Sequence, residues 1–181
     1  MRRFEPGQQK FSKRPFGFRM PRTLKTLIEE NTTRWVFENA VSAWAGRDLD
    51  GLMHFISDQI ANDSNVDPSV VPFAPSVVGK PAYRSKLENI LESFDFASYV
   101  TNHLVVDGPT ARANMKIIWV HNATGERLQT SFRFIVEQRD GKIIRINQLY
   151  DAAYLETFAR LVTVAREEEI LRRYWFSGHD E

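Results

Sequence analysis

The chain has no cysteine. Disulfide bonds, zinc sites built on thiolates and catalysis by a thiol are therefore excluded. Long apolar runs are also missing, because the longest are a few residues, whereas a membrane-spanning helix needs about 20. The first residues lack the apolar central stretch of a secretory signal. These absences predict a cytoplasmic protein with no membrane partner.

The composition is otherwise that of an ordinary globular protein. A length of 181 residues fits one domain with room for a tail or an extra helix. Hydrophobic residues make up 43% of the chain and charged residues 26%, which argues against wholesale disorder. Thirteen Phe and four Trp are enough to fill a sizeable core or to line a cavity.

The net charge of +1 conceals a basic tail at the N-terminus. Residues 1–23 carry seven basic side chains and one acid, Glu5, for a net charge of +6, which leaves −5 on residues 24–181. A basic segment with interleaved phenylalanines could contact phosphates and stack on bases. A basic arm alone is weak evidence for such a role, and the domain that follows is acidic. We therefore expect no binding to nucleic acid.

Helical signals come first along the chain. Thr26 and Glu29 have capping-box spacing and predict a helix from there to about Gly46. Asp48 can cap a second, shorter helix. Pro81 suits the first turn of a third helix over residues 82–94, and a last helix is predicted over 152–176.

Segments in which apolar and polar residues alternate, the pattern of β-strands, lie mostly after the third predicted helix. A short strand is predicted over 59–66, and four consecutive strands over 96–106, 111–121, 128–139 and 142–151, with turn residues between the four. Strands joined by short turns pair antiparallel, so helices followed by a meander predict an α+β fold.

Strand alternation predicts which face of the sheet meets the helices. The apolar sets are Met115, Ile117 and Trp119; Thr130, Phe132, Phe134 and Val136; and Ile144 and Ile146, with Gln148 and Tyr150 continuing the last set. A buried amide without a partner costs about 1–3 kcal/mol. Gln148 therefore either satisfies backbone groups or points into a cavity toward a ligand, while Tyr150 is expected to be core with its hydroxyl at the rim.

Four segments resemble a known family. They are residues 45–53 (AGRDLDGLM), residues 77–82 (VVGKPA), the Thr124-Gly125 turn, and residues 140–152 (DGKIIRINQLYDA). In order and spacing they are similar to the SnoaL-like branch of the nuclear transport factor 2-like superfamily, over roughly residues 26–161.

The resemblance implies a cone-shaped domain over residues 24–161, in which a bent antiparallel sheet wraps on the N-terminal helices around an internal pocket. It leaves residues 1–23 as a basic tail and 162–181 as a C-terminal helical extension. It also implies a homodimer, a small apolar or aromatic ligand, and no cofactor or metal. The expected pocket residues are Trp44, Asn62, Met115, Ile117, Trp119, Phe132, Phe134, Ile146, Gln148 and Tyr150.

The family includes isomerases, cyclases and lyases that act by proton transfer, and this chain matches their catalytic patterns only in part. For the isomerase-like pattern, Asp63 or Asp67 can be the base, whereas the expected Tyr falls on Asn39 or Ala40. For the epoxide hydrolase-like pattern, the last Asp falls on Gln148, which cannot act as an acid or base. The sequence thus leaves open a proton-transfer enzyme with Asp63 or Asp67 as base, a non-catalytic ligand-binding domain, and a dimeric interaction domain.

Overall fold

The computed structural model describes residues 23–177, so most of the basic tail lies outside the described residues. Four helices and six strands follow one another along the chain. They are α1 (Leu24–Ala45), α2 (Leu49–Phe55), β1 (Ile56–Ser64), β2 (Val77–Val78), α3 (Lys80–Ser93), β3 (Phe94–Asp107), β4 (Thr110–His121), β5 (Arg127–Arg139), β6 (Lys142–Tyr150) and α4 (Ala152–Ser177). The α+β fold class is as predicted.

All six strands form one curled sheet in the order β2-β1-β6-β5-β4-β3. The meander from β3 to β6 is antiparallel, as the short turns predict. Strand β1 pairs in parallel with β6, with Asn62 opposite Ile146 and Ser64 opposite Gln148. The sheet is therefore mixed. This pairing brings the polar end of β1 beside the polar end of β6.

Helix α1 begins earlier than its predicted capping box. Thr23 is the N-cap and accepts a hydrogen bond from the Thr26 backbone N–H at 3.2 Å, which places Thr26 inside the first turn. The prediction of the Thr26–Glu29 box is therefore wrong, because Thr23 offers the same capping chemistry one turn upstream. The predicted cap of α2 is confirmed, since Asp48 Oδ1 accepts from the Gly51 N–H at 2.8 Å.

A β-bulge corrects the predicted alternation of the last strand. Glu137 pairs with Arg145 and Gln138 with Ile143, which leaves Ile144 as an extra residue without a partner across the ladder. The bulge turns Ile143, rather than Ile144, toward the core, and Ile143 and Ile146 are both buried. The strand returns to the predicted phase by Ile146, so Gln148 and Tyr150 stay on the helix-facing side.

The core lies between the sheet and the helices, and Phe94 is at its centre. Its side chain is 1% exposed. Its ring contacts those of Phe73, Trp119 and Phe158, with centroids 5.0, 5.6 and 6.2 Å away. One ring therefore joins the loop after β1, the sheet and helix α4.

Helix α4 continues without a break through residue 161, where the resemblance places the end of the domain. Leu155, Phe158, Ala159 and Val162 bury one side of its first half. Its second half carries exposed apolar side chains at Ile170 and Leu171. None of the helices in residues 23–177 combines the length and apolar character needed to cross a bilayer.

Candidate ligand-binding pocket

A narrow pocket lies between the sheet and helices α1 and α3. Its volume is about 40 Å³, which is room for roughly three water molecules. Phe73 and Ala74 reach its wall from the loop between β1 and β2. Eight of the predicted pocket residues line it: Trp44, Ile117, Trp119, Phe132, Phe134, Ile146, Gln148 and Tyr150.

The other two predicted pocket residues lie behind the wall. Met115 is fully buried in the core and does not line the cavity. Asn62 is also buried, and it reaches the site indirectly by bonding to two residues that do line it, Lys86 and Gln148.

The lining contains no carboxylate and no histidine among the residues that the structure describes. Its side chains with polar atoms are Lys86, Gln148, two tryptophans, Trp44 and Trp119, and three tyrosines, Tyr83, Tyr99 and Tyr150. Ammonium, indole N–H and amide N–H groups only donate hydrogen bonds, whereas a phenol donates or accepts. The cavity is therefore rich in donors and poor in anionic acceptors.

Lys86 is the ionisable group at the centre of this polar set. It extends from α3 and is only 4% exposed. Its Nζ donates to three neutral oxygens: Asn62 Oδ1 at 2.5 Å, the Pro75 carbonyl at 2.8 Å and Gln148 Oε1 at 3.3 Å. Burial lowers the pKa of this ammonium from its usual 10.5 to about 8. Lys86 is therefore mostly charged at neutral pH and titrates far closer to neutrality than an exposed lysine.

Gln148 is oriented by its two neighbours. Its Oε1 accepts from Lys86 Nζ and also from Asn62 Nδ2, the latter at 3.2 Å. Both neighbours offer donors, so the oxygen of the amide must face them. The Gln148 Nε2 is left with no hydrogen-bond partner among residues 23–177.

The three tyrosines lie close enough together to affect one another's ionisation. Burial raises the pKa of each. The proximity of Tyr150 and then Tyr83 raises the pKa of Tyr99 further, and Tyr83 does the same for Tyr150. All three are therefore neutral at physiological pH. Their hydroxyls form no hydrogen bond with any other described residue.

Trp119 presents a further unsatisfied donor. Its side chain is 5% exposed and stacks on Phe96 with centroids 4.9 Å apart. Its Nε1 is buried and has no hydrogen-bond partner in the described part of the chain.

The centre of the chain, residues 37–146, matches the family model of the SnoaL-like domain. The chain belongs to the SnoaL-like family. No curated protein sequence matches it.

Solved structures of the same fold are similar to this SnoaL-like chain at low identity. A protein provisionally named an isomerase, from Rhodopseudomonas palustris, has a TM-score of 0.63 at 17% identity, covering 71% of this chain and 96% of its own. A nuclear transport factor 2-like protein from Burkholderia xenovorans has a TM-score of 0.61 at 17% identity, covering 70% and 94%. An LEH-like epoxide hydrolase from M. tuberculosis has a TM-score of 0.59 at 14% identity, covering 75% and 97%. These similarities support the fold.

Both candidate catalytic carboxylates lie outside the pocket. Asp63 is exposed on β1, and its Oδ2 is 3.4 Å from the Nε of Arg145 on the neighbouring strand. Asp67 is exposed in the loop after β1, where its carboxylate accepts from the Ser69 backbone N–H and hydroxyl, and these bonds lower its pKa. A base for proton transfer within the cavity needs to reach the substrate, and neither carboxylate has that geometry.

Lys86 and Tyr83 are polar pocket residues that strand alternation could not reveal, because both lie on α3. The signal was present in the helix itself. Tyr83, Lys86, Leu87 and Ile90 are spaced i, i+3, i+4 and i+7, the apolar face of a helix, and all four are buried. A lysine in the middle of such a stripe is unusual, since lysine is almost never fully buried unless paired.

We expect Asp63→Asn to leave both the fold and ligand binding nearly unchanged. The variant loses one surface ion pair, whose contribution is about 0.2–1 kcal/mol. Chemical denaturation measures the first effect, and titration with a pocket ligand the second. A loss of ligand binding in Asp63→Asn would show that Asp63 does take part in the binding site.

Proposed function

We propose that this SnoaL-like chain is a small-molecule pocket protein that binds an apolar or aromatic ligand in the cavity between α1, α3 and the sheet. The observation that carries the proposal is the indole N–H of Trp119, a buried donor with no hydrogen-bond partner in the part of the chain that the structure describes, in a cavity whose wall also carries Tyr83, Tyr99 and Tyr150. A ligand that supplies acceptors to these donors and apolar surface to the aromatic wall fits both features.

The unsatisfied indole N–H of Trp119 lowers the stability of the empty pocket. A buried polar group left without a hydrogen bond costs about 1–3 kcal/mol. Ordered water can relieve that cost where there is space and two or more polar partners. At about 40 Å³ the cavity holds few waters, so a ligand larger than a single ring must displace side chains such as Phe73 on the β1–β2 loop.

A second candidate is a proton-transfer enzyme of the isomerase, cyclase or lyase kind, with Lys86 rather than a carboxylate as the base. The observation in its favour is that burial lowers the pKa of Lys86 to about 8. A base with that pKa is neutral in a useful fraction of molecules near neutral pH. Turnover by such an enzyme would rise with pH through about 8 and would be lost in Lys86→Met.

We further propose that the exposed polar face of the sheet is the contact surface of the homodimer that the resemblance implies. It carries Asn114, Lys116, Ser131, Arg133 and Arg145, all of which are exposed. Light scattering over a range of protein concentrations decides between the expected homodimer and a monomer.

Filling the pocket tests the ligand-binding proposal. Ala40 on α1 lines the cavity, so Ala40→Leu should weaken the binding of single-ring aromatic compounds by about tenfold or more, which is about 1.4 kcal/mol. Ala153→Leu on the exposed side of α4 is the matched control. Calorimetric titration with toluene, benzamide and benzoate measures the effect. If none of the three binds, or if Ala40→Leu binds them as well as the unaltered chain does, the cavity is not the ligand site.

A further inference from the structure

The pocket contains a buried positive charge with no anionic partner. Lys86 makes no ion pair with any carboxylate in residues 23–177, and its three acceptors are amide oxygens. Amide dipoles orient an ammonium, but they do not neutralise it. Isolated buried charges are strongly disfavoured, and buried charges in proteins are normally paired.

From this imbalance we infer that the ligand of the pocket is an apolar or aromatic carboxylate whose anionic oxygens are bound by Lys86 Nζ. The inference rests on the proposed function, since it assigns a chemical class to the ligand of that same cavity. A carboxylate accepts hydrogen bonds only. It therefore matches a cavity whose lining offers donors and contains no competing acid.

The geometry provides a place for the incoming anion. The bond from Lys86 Nζ to Gln148 Oε1 is the longest of the three, at 3.3 Å. Gln148 Oε1 also accepts from Asn62, so it keeps a donor if a carboxylate oxygen takes its place beside Nζ. The unpartnered Nε2 of Gln148 can then donate to the same carboxylate. Charge-assisted hydrogen bonds of this kind are roughly twice as strong as neutral ones.

The apolar part of the ligand is specified by the other walls. Aromatic rings surround the polar group, with Phe132 and Tyr150 4.7 Å apart between centroids and Trp119 stacked on Phe96. The hydroxyls of the three tyrosines and the Trp119 N–H supply additional donors for oxygen substituents. A small aliphatic acid would leave this aromatic surface unfilled, which favours a carboxylate attached to a ring or a branched hydrocarbon.

Benzoate and benzamide form a matched pair of probes, because they have the same shape and differ in charge. At about pH 6.5, where Lys86 is protonated, we expect the unaltered chain to bind benzoate at least about tenfold more tightly than benzamide. Lys86→Met should remove that preference. Lys80→Met is the control, since Lys80 lies on the same helix in an exposed pair with Asp58 and outside the cavity.

A second measurement needs no variant. Benzoate affinity of the unaltered chain should fall as the pH is raised past about 8, where Lys86 loses its proton, while benzamide affinity stays constant. The tyrosines that face the cavity from α3, β3 and β6 have raised pKa values and stay neutral over this range. A rise in benzoate affinity with pH would overturn the inference.

The outcomes separate the two proposals. A benzoate preference that disappears in Lys86→Met and at alkaline pH supports the carboxylate inference. Equal binding of both probes, or tighter binding of benzamide, overturns the inference and leaves the ligand-binding function intact. Binding of neither probe overturns the inference, and both proposals are overturned only if toluene does not bind either.

Discussion

Replacing Phe94 by alanine is expected to lower the free energy of unfolding by about 3–5 kcal/mol, the range for removing a buried phenylalanine from a packed core. The residue is 1% exposed. Its ring joins Phe73 of the loop after β1, Trp119 of β4 and Phe158 of α4. Urea denaturation followed by far-UV circular dichroism measures the loss.

The matched control for this variant is Leu161→Ala on helix α4, where the leucine is exposed. A surface substitution of this kind changes the free energy of unfolding by about 0.5 kcal/mol or less. If Phe94→Ala costs no more than Leu161→Ala, Phe94 does not hold the loop, the sheet and α4 together.

The stability of the chain is expected to depend on pH through Lys86. Burial lowers the pKa of its ammonium in the folded chain to about 8, against 10.5 for an unburied lysine. Between these values the unfolded chain holds a proton that the folded chain has released, so stability rises with pH. The shift amounts to about 3 kcal/mol at about 1.4 kcal/mol per pKa unit.

The contribution of Lys86 to the pH dependence of stability is obtained by comparing the unaltered chain with Lys86→Met. The free energy of unfolding of the unaltered chain, minus that of Lys86→Met, should rise by up to about 3 kcal/mol from about pH 7 to about pH 10. All other titrating groups are common to both proteins and cancel. The same difference taken with Lys80→Met should stay flat, because Lys80 lies on the surface side of α3. A difference with Lys86→Met that is flat or falling would show that Lys86 is not desolvated.

The sequence predicts the element order because periodicity is a local signal. Alternation along β4 and β5 correctly assigns Ile117, Trp119, Phe132 and Phe134 to the face that lines the cavity. The bulge at Ile144 could not be predicted, since it depends on how β5 and β6 pair. The parallel pairing of β1 with β6 is also a long-range contact, between residues more than 80 positions apart.

The polar centre of the site was the least predictable part. Asp63 and Asp67 suggest a base by their chemistry, but whether a carboxylate points into a cavity depends on strand pairing and loop path. Arg145, brought beside Asp63 by the parallel pairing of β1 and β6, forms an ion pair with it on the surface. Lys86 was hidden for the opposite reason, because a lysine on a helix is normally interpreted as solvent-exposed.

The central claim, that the cavity binds the ligand, is tested most directly by the four tryptophan indoles in ¹H–¹⁵N spectra of the chain titrated in turn with toluene, benzamide and benzoate. Trp44 and Trp119 line the pocket, whereas Trp35 and Trp175 are 57% and 69% exposed and lie outside it. We predict that the N–H resonances of Trp44 and Trp119 shift with a common saturation curve and that those of Trp35 and Trp175 stay in place. If each of the three probes shifts only Trp35 or Trp175, or shifts no indole, the claim is contradicted.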